Sequence, residues 1–154
     1  MPAIEVINDA AELARRAKLS ADRHTVGSET FAFYSSVTNA ISTDVALMQV
    51  PIDDHQVHRG HAVFDTCNVE GGRVRNLHHH LERFLRSAKQ ARVEHAYSAE
   101  QLRSLILQTI AASGKKDMFV RYWLSAGRGN FGWSPNGCTP TFYGKLSPRR
   151  LTCC

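Results

Sequence analysis

Residues 52–92 read IDDHQVHRGHAVFDTCNVEGGRVRNLHHHLERFLRSAKQAR, and the order of textures in this stretch sets the fold. Val63 to Val69 reads as a strand, Glu70-Gly71-Gly72 as a turn and Arg73 to Leu77 as the returning strand. Two glycines between two such runs are a hairpin signal, because glycine reaches the positive φ of a tight turn without steric cost. His78 to Val93 then reads as a helix. Leu77, Leu81, Phe84, Leu85 and Ala88 recur at three and four residues and form its apolar face. Glu82 and Arg86 lie four apart, which predicts an exposed ion pair.

The reading extends outward in both directions. Asp9 to about Lys18 is predicted as a short helix, with Asp9 as cap, Glu12 at the capping-box position, and Ala10, Leu13, Ala14 and Ala17 at helical spacing. A polar linker, Ser20 to Thr30, contains Gly27. From Phe31 the chain turns to short apolar runs: FAFYSSV, a turn near Thr38-Asn39, then Ala40-Ile41 and Met48 to Ile52 as further strands. A second helix is predicted over Ser98 to Ala112, opened by the capping box Ser98-Ala99-Glu100-Gln101 and closed by Gly114. Its core face is Leu102, Leu105, Ile106 and Ile110. Met118 to Ala126 (MFVRYWLSA) has the β-branched and aromatic content of a central strand. After a glycine-rich loop, Thr139 to Tyr143 makes another, and GKLSPRRLTCC shows no periodicity. The expectation is an α+β fold: a twisted, mostly antiparallel sheet with two packed helices. The chain divides into a helix and linker (1–30), the main domain (31–143) and an aperiodic tail (144–154).

Composition narrows the function classes. A chain of 154 residues with 43% apolar and 21% charged residues suits one globular domain. Its apolar runs fall well short of the ~20 residues that cross a bilayer, so a membrane partner is not expected. MPAIEVINDAAEL has early acidic residues and no apolar core before a cleavage site, which points to the cytosol, or to a plastid if a transit sequence is missing. The net charge is +5, but the basic residues are scattered and not interleaved with aromatics, so nucleic acid is not an expected partner. Cys67, Cys138, Cys153 and Cys154 contain no Cys-x-x-Cys spacing and read as free thiols.

The sharpest candidate for chemistry is His80-Leu81-Glu82-Arg83. His80 and Arg83 lie three apart and share a helix face with Ser87, bordering the apolar stripe. An arginine there can clamp a phosphate by charge-assisted hydrogen bonds. Alone, the pair reads more readily as a snorkelling surface arginine with an incidental histidine. His55, His58 and His61 recur every three residues and His78 to His80 are consecutive; neither spacing gathers ligands on one face of a strand or helix, so no metal is expected. Gly127-Arg128-Gly129-Asn130-Phe131-Gly132 matches a dinucleotide fingerprint, but turn sequence follows where a helix must open.

Gly60-His61-Ala62-Val63-Phe64-Asp65-Thr66, the hairpin, and the His-x-x-Arg helix ending in Ser87-Ala88 together resemble the class IV pyridoxal-phosphate aminotransferases. In that family the first segment reads roughly Gly-Asp-Gly-Val-Phe-Glu-Thr. The likeness spans roughly residues 31–143, and VPIDDHQVHRGHAVFDT with RYWLSAGRGNFG is similar to the plant D-amino-acid or branched-chain aminotransferase-like subgroup. The resemblance implies the small N-terminal domain of a fold-type IV enzyme. It also implies pyridoxal 5'-phosphate as cofactor, amino-acid and 2-oxo-acid substrates, and a homodimer. Arg83 and His80 become cofactor-binding residues; Phe64, Phe119 and Arg121 line the substrate side. Aminodeoxychorismate lyase is a sister activity on the same scaffold. His61, Ala62 and Asp65 depart from the family segment. The family's cofactor-bearing lysine, its ring-nitrogen carboxylate and its second phosphate loop belong to a C-terminal domain. The chain therefore reads as truncated, with no catalytic residue assigned and Lys145 expected as an exposed tail lysine. Inactivity alone is expected, with a non-catalytic fragment that joins a full-length partner as the alternative. Phe64, Phe119 and Trp123 are expected on an uncovered apolar face.

Overall fold

In the computed structural model, which describes residues 4–23 and 29–149, the predicted hairpin is the edge of a six-stranded sheet. The strands are β1 (Ala32–Ser35), β2 (Ala40–Ser42), β3 (Ala62–Glu70), β4 (Arg73–Val74), β5 (Met118–Arg128) and β6 (Thr139–Ser147). Their order is β2-β1-β6-β5-β3-β4, and every neighbouring pair is antiparallel. The helices are α1 (Ala10–Arg23), α2 (His55–His58), α3 (Leu77–Gln90) and α4 (Ala99–Ser113), with a 3-10 turn at Val45–Leu47. The fold is α+β with a twisted antiparallel sheet, as the sequence predicts; α1 and α2 accompany the two packed helices.

Alternation along the strands separates two faces. Val69, Val120, Tyr122, Leu124, Phe142 and Leu146 point under α3 and α4 and are almost wholly buried. There they meet Leu81, Phe84, Leu102 and Ile106, and the Phe84 ring stands edge-on to Tyr122 at 4.9 Å. Each such side chain contributes about 1.5–3 kcal/mol by leaving water. Helix α4 starts as expected: Ser98 Oγ accepts from Gln101 N–H, Gln101 Oε1 accepts from Ser98 N–H, and Gly114 closes the helix at φ +64°.

Several elements differ from the sequence reading. β4 ends at Val74, and Leu77 opens α3, because Leu77 is drawn into the core. Met48 to Ile52 forms no strand. The Glu82 carboxylate faces His78 (3.2 Å) and His79 (3.4 Å) instead of Arg86. The N-terminal helix runs on to Arg23, through the start of the predicted linker. Its Glu12 side chain is taken by Arg15 and Arg16, not by the helix cap. Gly27 and the cysteines at 153 and 154 lie outside the described residues. The largest correction is at the other end. β6 continues through Gly144, Lys145 and Leu146 to Ser147, paired on both sides by β1 and β5, so these residues belong to the sheet and Lys145 is only half exposed. The glycine and lysine in that stretch hide a strand whose register is set by its neighbours.

Asp54, fully buried, ties this architecture together. Its carboxylate accepts from Thr141 Oγ1 (2.6 Å), Tyr143 OH (2.7 Å), Ser125 Oγ and the Gln56 backbone N–H (3.0 Å), which caps α2. Ser125 Oγ in turn accepts from Gly127 N–H (3.0 Å) inside a bulge of β5. Gly127 has φ +91°, and a Cβ there would lie 1.7 Å from the Thr139 carbonyl oxygen.

Asp54→Ala leaves three buried hydroxyls without their acceptor and is expected to lower unfolding stability by about 3 kcal/mol or more in urea denaturation. Gly127→Ala is expected to match it, since both backbone strain and a backbone clash oppose the new methyl. A change under about 1 kcal/mol in either variant, the ordinary surface-substitution range, contradicts this account.

Candidate cofactor-phosphate clamp and substrate wall

Helix α3 crosses the sheet beside β3, and its His80 and Arg83 come down on Asp65. Asp65 points to the helix-covered face, where its side chain is 4% exposed. Arg83 grips it with two donors: Nε to Oδ2 at 2.9 Å and Nη2 to Oδ1 at 2.5 Å. His80 Nδ1 lies 3.1 Å from Asp65 Oδ1 and 3.1 Å from Arg83 Nη2. A carboxylate only accepts, so a protonated Nδ1 donates to Asp65 and the ring's Nε2 faces away. With Nε and Nη2 so engaged, Arg83 keeps Nη1 for solvent, and its side chain is 58% exposed. Asn76, His79, His80, Glu82, Arg83 and Arg86 border a hollow of about 330 Å³ at this point. Burial raises the Asp65 pKa, but the hydrogen bonds from Arg83, His80 and the Thr66 N–H outweigh it and hold the carboxyl below its usual range. The Arg83 pKa rises for the reciprocal reason.

The three predicted substrate-side residues lie on the opposite face. Register aligns Phe64 with Trp123, Thr66 with Arg121, and Asn68 with Phe119. The Arg121 guanidinium stands 5.1 Å above the Phe64 ring and donates from Nε to Thr66 Oγ1 at 3.2 Å. Phe64 is 64% exposed, while Phe119 and Trp123 are half-buried. Phe33, Trp123 and Tyr143 stack behind them at 5.5–6.0 Å. The structure thus brings Arg83 to His80 and Arg121 to Phe64, but places the two pairs on opposite sides of β3. From Ala62 to Cys67 that strand is paired only by β5, because β4 meets it at Val69 and Glu70. The two clusters therefore flank a free strand edge.

Of the other singled-out residues, His55 and His58 sit on α2 with ring centroids 4.8 Å apart, and His61 bonds the Ala91 carbonyl at 2.9 Å. The glycine-rich loop after β5 leads into bends and then β6, with no helix. Sequence reasoning missed Asp65 as the partner of Arg83, although an acid in strand alternation opposite a helical arginine is a usable signal. Ser87 makes no side-chain hydrogen bond to Arg83 among the described residues.

The family model described as Amino-transferase class IV matches residues 62–151, and the chain belongs to that family. It is 44% identical over 133 residues to the D-amino-acid transaminase, chloroplastic, of Arabidopsis thaliana, covering 86% of this chain and 35% of that protein. The fold is similar to a branched-chain amino acid aminotransferase from T.th. solved with pyridoxamine 5'-phosphate. There the TM-score is 0.68 and the identity 18%, over 80% of this chain and 41% of that one. It is also similar to 4-amino-4-deoxychorismate lyase from Pseudomonas aeruginosa, at TM-score 0.62 and 22% identity over 77% and 40%. The chain spans about a third of the length of the curated relatives it matches. Among the described residues no helix is long and apolar enough to cross a membrane.

A group with a depressed pKa contributes stability above its unfolded value and loses it as pH falls through the folded one. The Asp65 contribution is therefore expected to be full above about pH 4, the ordinary carboxyl range, and to vanish below it. Asp65→Asn should flatten the acid limb of a stability-versus-pH curve in that window. An unchanged acid limb in the variant contradicts an ionised, paired Asp65.

Proposed function

We propose that this chain supplies the phosphate clamp and one substrate wall of a pyridoxal 5'-phosphate-dependent amino-acid aminotransferase. The observation that carries the reading is the Asp65–Arg83–His80 bracket, which holds the guanidinium by Nε and Nη2 and leaves Nη1 outside the ion pair, beside a hollow that Arg83, Arg86, His79 and His80 border with Asn76 and Glu82. That donor set fits a phosphate dianion: two N–H bonds from Nη1, with His80 holding Asp65 beside the guanidinium. Asp65 holds the arginine in place and offsets its charge, so the free edge does not collapse onto a neighbour. When bound, the cofactor supplies the carbonyl and electron-accepting ring that carry an amino group between an amino acid and a 2-oxo acid.

The chain's own residues do three things. Arg83 and His80 anchor the phosphate end. Phe64, at the free edge of β3, offers an apolar wall around which a ligand reaches from the clamp to the open face. Phe119 and Arg121 face the substrate, the guanidinium held by Thr66 and the Phe64 ring. The branched-chain relative solved with pyridoxamine 5'-phosphate supports the cofactor class, and the Arabidopsis relative supports a D-amino acid as substrate. For location, the chloroplastic relative supports a plastid, where the sequence alone favoured the cytosol. The exposed Phe64, beside the half-buried Phe119 and Trp123, supports a site completed by further protein, in a homodimer or on a full-length partner subunit. A lyase on this scaffold is the sister reading, supported by the Pseudomonas neighbour's fold.

None of the described residues that border the clamp hollow is a lysine. Lys116 lies at the hairpin end, where its carbonyl takes the Gly72 N–H, Lys115 lies over Phe31, and Lys145 is on the opposite face. The 154-residue polypeptide, given cofactor, L- or D-amino acids and 2-oxoglutarate, is therefore expected to form no glutamate above the protein-free control. Glutamate formation lost in Lys145→Ala contradicts this. In equilibrium dialysis, pyridoxal 5'-phosphate should bind more tightly than pyridoxal, and Arg83→Ala should remove about a tenfold advantage, the low end for charged hydrogen bonds at an exposed site. Pyridoxal 5'-phosphate binding to Arg83→Ala as tightly as to the parent refutes the clamp.

A further inference from the structure

His55, His58 and His61 border a single hollow of about 630 Å³ beside Trp133, and neither the phosphate clamp nor the substrate wall employs them. A spacing of three residues scatters such side chains along a strand. On the one-turn helix α2 it brings His55 and His58 to the same side, with ring centres 4.8 Å apart.

The backbone fixes what His55 offers. The residue is 1% exposed, and its Nε2 lies 3.1 Å from the Asn130 carbonyl oxygen. A carbonyl only accepts, so Nε2 carries the ring proton and Nδ1 is a bare lone pair. That nitrogen is buried and has no hydrogen-bond partner among the described residues. His58 is half-buried and lies 4.7 Å from the Phe131 ring, with both of its ring nitrogens buried and unpartnered. In its neutral form it adds a second lone pair. A buried nitrogen without a partner costs the fold, and two on one helical turn call for a partner they can share.

The surroundings select that partner. The acids just before the pair are engaged: Asp53 by Arg128 at 2.9–3.1 Å, and Asp54 by three hydroxyls and the Gln56 amide. Hard cations such as magnesium take oxygen ligands, whereas neutral imidazoles suit zinc. With zinc–nitrogen bonds of roughly 2.0–2.1 Å and a tetrahedral angle, two rings sharing one ion stand roughly 5 Å apart at their centres, near the observed spacing. A zinc-binding histidine gives its other ring N–H to a carbonyl or carboxylate, as His55 Nε2 does to Asn130. His61 turns its Nε2 to the Ala91 carbonyl at 2.9 Å, and among the described residues no group of three His, Cys, Asp or Glu is placed to hold a metal. The remaining coordination positions therefore fall to solvent.

We propose that His55 Nδ1 and His58 form a two-imidazole site for zinc, completed by water, which staples α2 to the glycine-rich loop through Asn130 and Phe131. Its ligands belong to neither the clamp nor the substrate wall, so it stands whether or not the chain serves an aminotransferase.

The site is tested on the 154-residue chain carrying Cys138→Ser, Cys153→Ser, Cys154→Ser, His78→Gln and His79→Gln, which removes competing thiols and an exposed histidine pair. Long-range proton–nitrogen spectra of labelled imidazoles report each ring nitrogen separately. Zinc is expected to move His55 Nδ1 and one His58 nitrogen together and saturably, to leave the proton on His55 Nε2, and to raise the melting temperature; magnesium is expected to do none of these. His58→Gln should weaken zinc at His55 by more than the roughly tenfold that loss of an outer-shell partner costs. Arg83→Ala should leave zinc binding intact. A His55 signal that zinc does not move, zinc affinity unchanged in a His58→Gln protein that melts like the parent, or a hydrogen bond between the two rings that persists in excess zinc overturns the proposal.

Discussion

Three hydroxyls from two strands converge on the Asp54 carboxylate, and the positions of α2, the β5 bulge and the start of β6 follow from that meeting. A buried carboxylate is costly unless its oxygens are filled. Among the described residues no cation does it: Ser125, Thr141 and Tyr143 each donate one O–H, and the Gln56 amide adds a fourth bond. To bring Ser125 and Thr141 to the same carboxylate, β5 and β6 must stay in register up to the bulge. Beyond it, Gly127 at φ +91° lets the strand pass within contact of the Thr139 carbonyl. Next to this knot, Arg128 reaches Asp53 at 2.9 Å and His55 Nε2 reaches the Asn130 carbonyl at 3.1 Å, so the start of the glycine-rich loop is fastened to α2 and to the residue before its cap.

The same economy appears one strand away. β3 is paired on one side only over the residues that matter, and its alternation sends Asp65 inward and Phe64 outward. Asp65 organises a guanidinium without neutralising its outer edge, because Arg83 presents five donors and the carboxylate engages them from one side. A lysine at that position has no such geometry: its ammonium is a point charge that one carboxylate satisfies. The arginine is thus oriented by the fold yet free to bind, which is what an anion clamp requires.

The face that carries Phe64 and Arg121 differs from the helix-covered face in kind. Under α3 and α4 the packing is aliphatic and aromatic and complete. On the other face Phe33 and Tyr143 are buried and Trp123 is half-buried, while the Arg121 guanidinium stands over the exposed Phe64 ring. Aromatic faces tolerate neighbouring cations, as the Arg121–Phe64 contact shows, so the two chemistries coexist where a carboxylate would instead have closed the surface into ion pairs.

Local signals carried much of this protein. The Gly71-Gly72 hairpin, the Ser98-Gln101 capping box, the Gly114 stop and the apolar stripe of α3 are decided by residues within a few positions of one another, and the sequence states them. The His80–Arg83 pair was legible for the same reason, since three residues of helix suffice to align it. What no local pattern could state is which side chains meet across the sheet. Asp65 lies 18 residues from Arg83, Asp54 lies 87 residues from Thr141, and Lys145 faces Arg121 only through the β5–β6 register. Lys145 looked like part of a tail because Gly-Lys breaks the apolar texture of a strand. Its neighbours Leu146 and Phe142, drawn into the core, kept the chain in the sheet. Sequence determined the elements and one end of the site; burial and long-range register decided which charges were paired, which were left open, and on which face.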